Sequence, residues 1–314
     1  MKLFFRPTGV WLVLLSAAIA QMAAAQSDPI KTALKAVQEK YALDRRTSVF
    51  DVQVERRETA VILKGEVDNS SARDEAVAAA RAVALVNIVD SIRVLPDPSL
   101  GEKTFGIVKL SVGNVRSKPG DAEELATQVL MGSVVKILKR QSGYYLVQSP
   151  DQYLGWLDYS ALHPTDRAGI AAWAAARKVI VTGYFGVVRE QPSHDALPVC
   201  DVVVSGVFRS TGKASTWTPV ELADGRKGYI ESSLVEDYDT WKQSVHPTQE
   251  GVEKTAKMFI GVPYLWGGTS AKGMDCSGFT KTVFRANGLE LQRDADQQAS
   301  MGFDVRLTED FGEL

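Results

Sequence analysis

The feature that most constrains the fold of this chain is a repeat at an offset of 73 residues. Residues 115–119 (VRSKP) return as residues 188–192 (VREQP), and residues 155–156 (GW) return as residues 228–229 (GY). Because the same offset separates both pairs of motifs, we expect one structural unit that is used twice. Each copy places short apolar stretches, such as residues 134–138, between glycine and polar turns, which predicts a small β-barrel.

Both copies resemble bacterial SH3-type domains. The start of the first copy, Asn114-Val115-Arg116, and its end, residues 153–156, carry the more specific match, and the second copy is more divergent. We assign residues 101–163 to a first SH3-like domain and residues 178–240 to a second. Between them, the alanine-rich residues 164–177 predict a helical linker that packs on a barrel.

Residues 1–25 show the order of a secretory signal peptide. Lys2 and Arg6 precede an apolar stretch at residues 10–20, and three alanines follow at residues 23–25. The apolar stretch is shorter than the about 20 residues that a membrane-spanning helix needs. We therefore expect cleavage, no membrane span in the mature chain, and a periplasmic or extracellular location.

Residues 26–100 show helix, hairpin, helix and strand patterns in that order. This order resembles a small α+β module of the BON type. Its role stays open between a contact surface for the envelope and a spacer.

Residues 263–279 (PYLWGGTSAKGMDCSGF) place Cys276 at a glycine-flanked junction between a loop and a helix. Apolar residues after the cysteine recur at helical spacing, and Asn287-Gly288 supplies a stop, so Cys276 lies in the first turn. Unpaired backbone N–H groups there favour a thiolate, whereas the adjacent Asp275 carboxylate disfavours it. From the residues alone, a catalytic thiol, a small buried cysteine and a disulfide with Cys200 all remain open.

The blocks YLWGG (residues 264–268) and DCSGF (residues 275–279) resemble the signature of the NlpC-type cell-wall cysteine peptidases, a papain-like family that cleaves peptidoglycan stem peptides. Residues 293–298 also resemble the stretch that follows the nucleophile helix in that family. The resemblance implies that Cys276 is the nucleophile and that Tyr264 helps to stabilise the oxyanion. It makes residues 241–314 the N-terminal part of a papain-like α+β domain. The expected fold is therefore multidomain, α+β and all-β, with two SH3-like barrels between α+β parts.

The resemblance also implies a histidine base several tens of residues after the nucleophile. The three histidines, His163, His194 and His246, all precede Cys276, and the sequence stops at Leu314. We expect a C-terminally truncated fragment that is inactive as given. A protein that is naturally shortened and non-catalytic is the alternative.

The order of domains resembles the SH3-containing bacterial γ-D-glutamyl-L-diamino acid endopeptidases, which process murein peptides. In that group the first SH3 domain lies beside the active site and helps to recognise a free N-terminal L-alanine. Carried over to this sequence, Asp275 and Ser277 would bind the substrate ammonium, joined by Tyr153 and Glu124. A buried ammonium needs paired charge and hydrogen-bond acceptors, which these residues offer.

We therefore expect a secreted cysteine endopeptidase that cleaves peptidoglycan stem peptides at the γ-D-glutamyl-diamino acid bond. The alternative is a non-catalytic envelope protein that binds peptidoglycan through its SH3-like domains. The formal net charge of −2 gives no reason to expect nucleic acid as a partner. The histidines lack metal-ligand spacing, and no nucleotide or phosphate motif is present, so we expect no cofactor. We also expect a monomer.

Overall fold

The structure is a computed structural model that describes residues 28–212 and 215–303. The predicted signal peptide and the final segment, residues 304–314, lie outside the described residues. The described chain forms two compact units, one made of residues 28–45 and 49–94, the other of residues 46–48 and those from 95 onward. In the part of the chain that the structure describes, no helix combines the length and apolar character needed to cross a bilayer.

The first unit is a three-stranded sheet with two helices. Asp28 accepts a hydrogen bond from the N–H of Ile30 and begins the first helix, while Asn69 caps the second. The elements are α1 (Pro29–Tyr41), β1 (Phe50–Arg56), β2 (Ala60–Val67), α2 (Ser70–Val83) and β3 (Asn87–Val94). Strand β2 lies in the centre, antiparallel to β1 and parallel to β3. The apolar faces of both helices and of the sheet share one core, in the element order that the sequence predicts.

The second unit contains two seven-stranded antiparallel sheets. The first consists of β4 (Phe105–Val108), β5 (Val112–Arg116), β6 (Leu125–Leu130), β7 (Val134–Gln141), β8 (Tyr144–Gln148), β9 (Leu154–Asp158) and β10 (Leu162–Thr165). The second consists of β11 (Lys178–Val181), β12 (Phe185–Arg189), β13 (Pro198–Val203), β14 (Val207–Ser210), β15 (Trp217–Glu221), β16 (Lys227–Glu231) and β17 (Val235–Asp237). Their strand orders are β6-β5-β9-β8-β7-β4-β10 and β13-β12-β16-β15-β14-β11-β17, so corresponding strands occupy corresponding places.

The repeat that the sequence indicates is confirmed by this shared topology. It also explains the repeated glycine. A Cβ on Gly155 would lie 2.5 Å from Cγ1 of Val115, and a Cβ on Gly228 would lie 2.5 Å from Cγ1 of Val188. Closure into a barrel is not confirmed, because the two end strands of each sheet do not pair with one another in the described residues.

Helix α3 (Arg167–Ala175) follows the first sheet and lies within the segment that the sequence predicts to be a helical linker. Asp166 caps its start by accepting the N–H of Gly169 at 2.8 Å. Its end is capped by the buried Lys178, whose ammonium donates to three backbone carbonyls, including that of Trp173 at 3.0 Å. The first strand of the second sheet is thereby joined to the end of the linker helix.

The C-terminal part of the second unit is mainly helical. Its elements are α4 (Tyr238–Ser244), α5 (Gln249–Met258), β18 (Thr269–Ser270), β19 (Gly273–Met274), α6 (Cys276–Ala286) and α7 (Ala295–Ala299). Phe259, Met274 and Val283 share a buried cluster with Leu130 of the first sheet and Val203 of the second. This shared core fixes α6, the helix that begins with Cys276, against both sheets.

Candidate active site

Cys276 is the first residue of α6, and its side chain is exposed. Asp275 caps the helix by accepting the N–H of Gly278 at 2.7 Å. Gly278 packs against the preceding loop so closely that a Cβ would lie 2.0 Å from the carbonyl oxygen of Gly268. The glycine after the cysteine thus lets the loop and the helix meet, and the predicted position of the thiol in the first helical turn is confirmed.

A buried arginine holds the residues on both sides of the thiol. Arg293 is 2% exposed and binds Asp275 through two nitrogens, at 3.2 Å and 2.6 Å. One of these nitrogens also donates to Oγ of Ser277 at 2.8 Å. Burial acts to raise the pKa of Asp275, but the hydrogen bonds and charge of Arg293 outweigh it and hold that pKa below its usual value. Cys276 therefore lies between two residues whose positions are fixed.

This network bears on the role predicted for Asp275 and Ser277. A carboxylate offers about four acceptor positions. The Asp275 carboxylate receives bonds from Arg293, from Ser277, and from two backbone N–H groups, those of Gly267 and Gly278. The structure therefore directs Asp275 and Ser277 toward Arg293, and their contact with a substrate ammonium remains a prediction.

Tyr153 lies at the end of the loop between β8 and β9, and its hydroxyl donates to Asp294 at 3.1 Å. Burial and the negative charge of Asp294 raise the pKa of Tyr153 above its usual value, so its phenol stays a hydrogen-bond donor even in alkaline solution. Arg46 binds the same Asp294 oxygen at 2.9 Å and also binds Asp296. Since Asp294 follows Arg293, Tyr153 lies next to the network that surrounds Cys276.

Glu124, in the turn before β6, reaches the YLWGG block. Its Oε1 accepts the indole N–H of Trp266 at 2.8 Å. Trp266 and Tyr264 are 64% and 66% exposed, and the backbone of Tyr264 bridges Met274, two residues before Cys276. The structure thus brings Glu124 and Tyr153 from the first sheet to the segments that surround the thiol.

Two of the histidines and the second cysteine lie outside this network. His194 contacts Glu231 at 3.6 Å, and the ring of His246 contacts the carbonyl of Ser244 at 3.0 Å. Cys200 lies in β13, unbridged and half-buried, where burial raises its pKa to about 11. Over residues 28–212 and 215–303, no group of three or more His, Cys, Asp and Glu side chains is arranged to hold a metal ion.

Sequence reasoning assigned no role to Arg293, Trp266, Asp294 or Arg46. Trp266 and the segment that begins at Arg293 lie in stretches that resemble the peptidase family, so a signal was present for them. No local pattern marks Arg46, because its partner Asp294 is 248 residues away in the chain.

Comparison with known proteins identifies three parts of the chain. Residues 261–311 match the NlpC/P60 family, residues 115–162 match the bacterial dipeptidyl-peptidase Sh3 domain, and residues 30–96 match the BON domain. A crystal structure of an NlpC/P60 family protein from Bacillus cereus ATCC 10987 aligns with a TM-score of 0.57 and 22% identity, over 64% of this chain and 78% of that one. This likeness supports the fold.

Two relatives illustrate the similarity in sequence. Dipeptidyl-peptidase 6 of Lysinibacillus sphaericus is 27% identical over 197 residues, which cover 60% of this chain and 72% of the relative. Gamma-D-glutamyl-L-lysine dipeptidyl-peptidase of Bacillus subtilis (strain 168) is 31% identical over 202 residues, 58% of this chain and 60% of the relative. The chain thus carries an NlpC/P60 domain and a bacterial dipeptidyl-peptidase SH3 domain, and it is homologous to SH3-containing γ-D-glutamyl-L-lysine dipeptidyl-peptidases.

Proposed function

We propose that this protein is a cysteine peptidase that cleaves peptidoglycan stem peptides at the bond between γ-D-glutamate and the following diamino acid. The observation that carries the proposal is the contrast between the exposed thiol of Cys276 and its buried neighbours, Asp275 and Ser277, which Arg293 holds. A nucleophile must be open to substrate and yet held in a fixed place, and this arrangement meets both requirements.

In the proposed reaction, Sγ of Cys276 attacks the γ-carbonyl carbon of D-glutamate. The amide C–N bond breaks, the diamino acid leaves as a protonated amine, and water then hydrolyses the thioester. Backbone N–H groups at the start of α6 favour the negative charge that forms, and we assign Tyr264 to the oxyanion from the family resemblance. None of the residues that the structure describes is proposed as the general base.

We propose that Glu124 and Tyr153 of the first SH3 domain bind the free N-terminal ammonium of the substrate. A dipeptidyl-peptidase releases two residues from an N-terminus, so it must recognise a terminal amine. Asp294 and Asp296 both bind Arg46, so these two carboxylates carry one more negative charge than that cation, and Glu124 places a further carboxylate at Trp266. This excess of negative charge favours a positively charged ligand. From the family resemblance we propose that Asp275 and Ser277, which Arg293 holds beside the thiol, also bind this ammonium.

We also propose that residues 1–25 direct export to the periplasm or the extracellular space, where peptidoglycan is found, and that the protein acts as a monomer. The position of the substrate outside the cytoplasmic membrane supports export.

Incubation of L-Ala-γ-D-Glu-L-Lys with a protein that carries the complete papain-like domain, called the full-length protein below, followed by mass spectrometry, tests the activity. We expect release of L-Ala-γ-D-Glu and free lysine, with no release by Cys276→Ser and unchanged release by the matched control Cys200→Ser. Turnover that persists in Cys276→Ser would refute the assignment of the nucleophile. Binding of the wild-type protein to murein without turnover would favour the second candidate function, a peptidoglycan-binding protein.

A further inference from the structure

A buried ion pair joins the helix of Cys276 to the loop of Tyr153. Lys281 lies in α6, and its Nζ is 3.1 Å from Oδ2 of Asp151, in the loop between β8 and β9. The two side chains are only 5% and 6% exposed. Because an unpaired charge would be costly at such a buried position, the Asp151 carboxylate depends on the ammonium of Lys281.

The hydrogen bonds around the pair keep both groups ordered. Lys281 also donates to Oε1 of Glu290 at 2.6 Å and to the backbone carbonyl of Leu291. Asp151 accepts from the hydroxyl of Ser149. Burial acts to raise the pKa of Asp151, but the charge of Lys281 and these hydrogen bonds hold it below its usual value, so Asp151 is ionised at neutral pH.

The same carboxylate organises the backbone of the loop. Oδ1 of Asp151 accepts the N–H of Tyr153 at 3.4 Å. Ser149, whose hydroxyl donates to Asp151, also donates its backbone N–H to the carbonyl of Tyr153 at 2.9 Å. Asp151 therefore contacts both the backbone of Tyr153 and a side chain of the helix that begins with Cys276.

We propose that Asp151 and Lys281 are positioning residues that hold Tyr153 at a fixed distance from Cys276, so that the substrate amine and the reacting carbonyl are bound in register. Neither residue touches the substrate. Functional groups must be held within about 0.5 Å of the productive geometry, and Tyr153 lies on a loop of a different domain from the thiol. The inference rests on the proposed role of Tyr153 in binding the ammonium.

The test measures binding of L-Ala-γ-D-Glu and of its N-acetylated form to the full-length protein by calorimetry, with Cys276→Ser as the parent to prevent turnover. We expect Asp151→Asn to weaken binding of the free-amine dipeptide by about 10-fold. This is the effect of losing the charge-assisted hydrogen bond between the Tyr153 hydroxyl and the substrate ammonium. Binding of the N-acetylated form should stay unchanged. The matched control is Glu290→Gln, which removes the other, 40% exposed carboxylate on Lys281 and should change the affinity by less than about 2-fold.

A second variant separates positioning from stability. Replacement of a buried ion pair by apolar residues of similar size is often neutral or stabilising, so Asp151→Leu with Lys281→Met should fold as well as the parent. We still expect this double variant to lose preference for the free amine, to the level of Tyr153→Phe. Full preference in a stable double variant, or equal weakening of both ligands by Asp151→Asn, would overturn the inference. If the parent itself does not prefer the free amine, the proposed function fails, and this inference falls with it.

Discussion

Replacement of Arg293 by methionine should strongly destabilise the second unit. Methionine fills much of the same volume but leaves the Asp275 carboxylate, which is 7% exposed, without its cation. Removal of one partner from a buried ion pair costs about 3–5 kcal/mol. Because domains are stable by about 5–15 kcal/mol in total, the variant should lose a large share of its free energy of unfolding.

Urea unfolding followed by tryptophan fluorescence measures this loss. Five of the six tryptophans, from Trp156 to Trp266, lie in the second unit, so the signal reports that unit. The matched control is Arg285→Met. Arg285 lies on α6, is 23% exposed and faces Glu290 at 3.5 Å, so its loss should cost about 1 kcal/mol or less.

A second substitution tests the cause of the loss. Asp275→Asn on the Arg293→Met background should recover part of the stability, because asparagine can still cap α6 but carries no buried charge. A loss from Arg293→Met no greater than that from Arg285→Met would refute the reasoning. It would mean that Asp275 tolerates burial without the arginine.

Three further outcomes are expected. With an aromatic disulfide reagent at pH 8, the exposed Cys276 should react rapidly and Cys200 slowly, because burial raises the pKa of Cys200 to about 11. The denatured, unreduced protein should show two free thiols. A single slow phase in the folded protein would contradict this prediction. Tyr153→Phe and Glu124→Gln should each weaken binding of L-Ala-γ-D-Glu by about 10-fold and leave the N-acetylated dipeptide unaffected, and parallel losses for both ligands would remove these residues from the ammonium site. The melting temperature should fall as the pH drops below about 4, the usual pKa of an aspartate. The folded-state pKa of Asp275 is lowered, so the stabilisation by its carboxylate is lost as the group becomes protonated. A melting temperature that is unchanged from pH 5 to pH 3 would argue against this.

The position of the thiol could be predicted from the sequence because its causes are local. Asp275 caps the helix three residues before Gly278, and the apolar spacing that follows the cysteine defines α6. The repeated unit was predictable for a similar reason. Short stretches of sequence that recur at one offset contain both the strand alternation and the glycine found at positions 155 and 228.

The partners of the site residues could not be predicted in this way. Arg293 holds Asp275 across 18 residues, Asp151 meets Lys281 from another domain, and Arg46 meets Asp294 across 248 residues. Spacing along the chain carries no information about such pairs.

The sequence by itself thus determined the strand repeat and the placement of Cys276 at a helix start, because both follow from backbone hydrogen bonding and side-chain periodicity over a few residues. Only the tertiary structure decided that Asp275 faces Arg293 and that each seven-stranded sheet stays open in the described residues. The physical reason is that a buried charge takes whichever partner the packing of distant segments brings within hydrogen-bond distance, and that closure of a sheet depends on how its end strands curve in space.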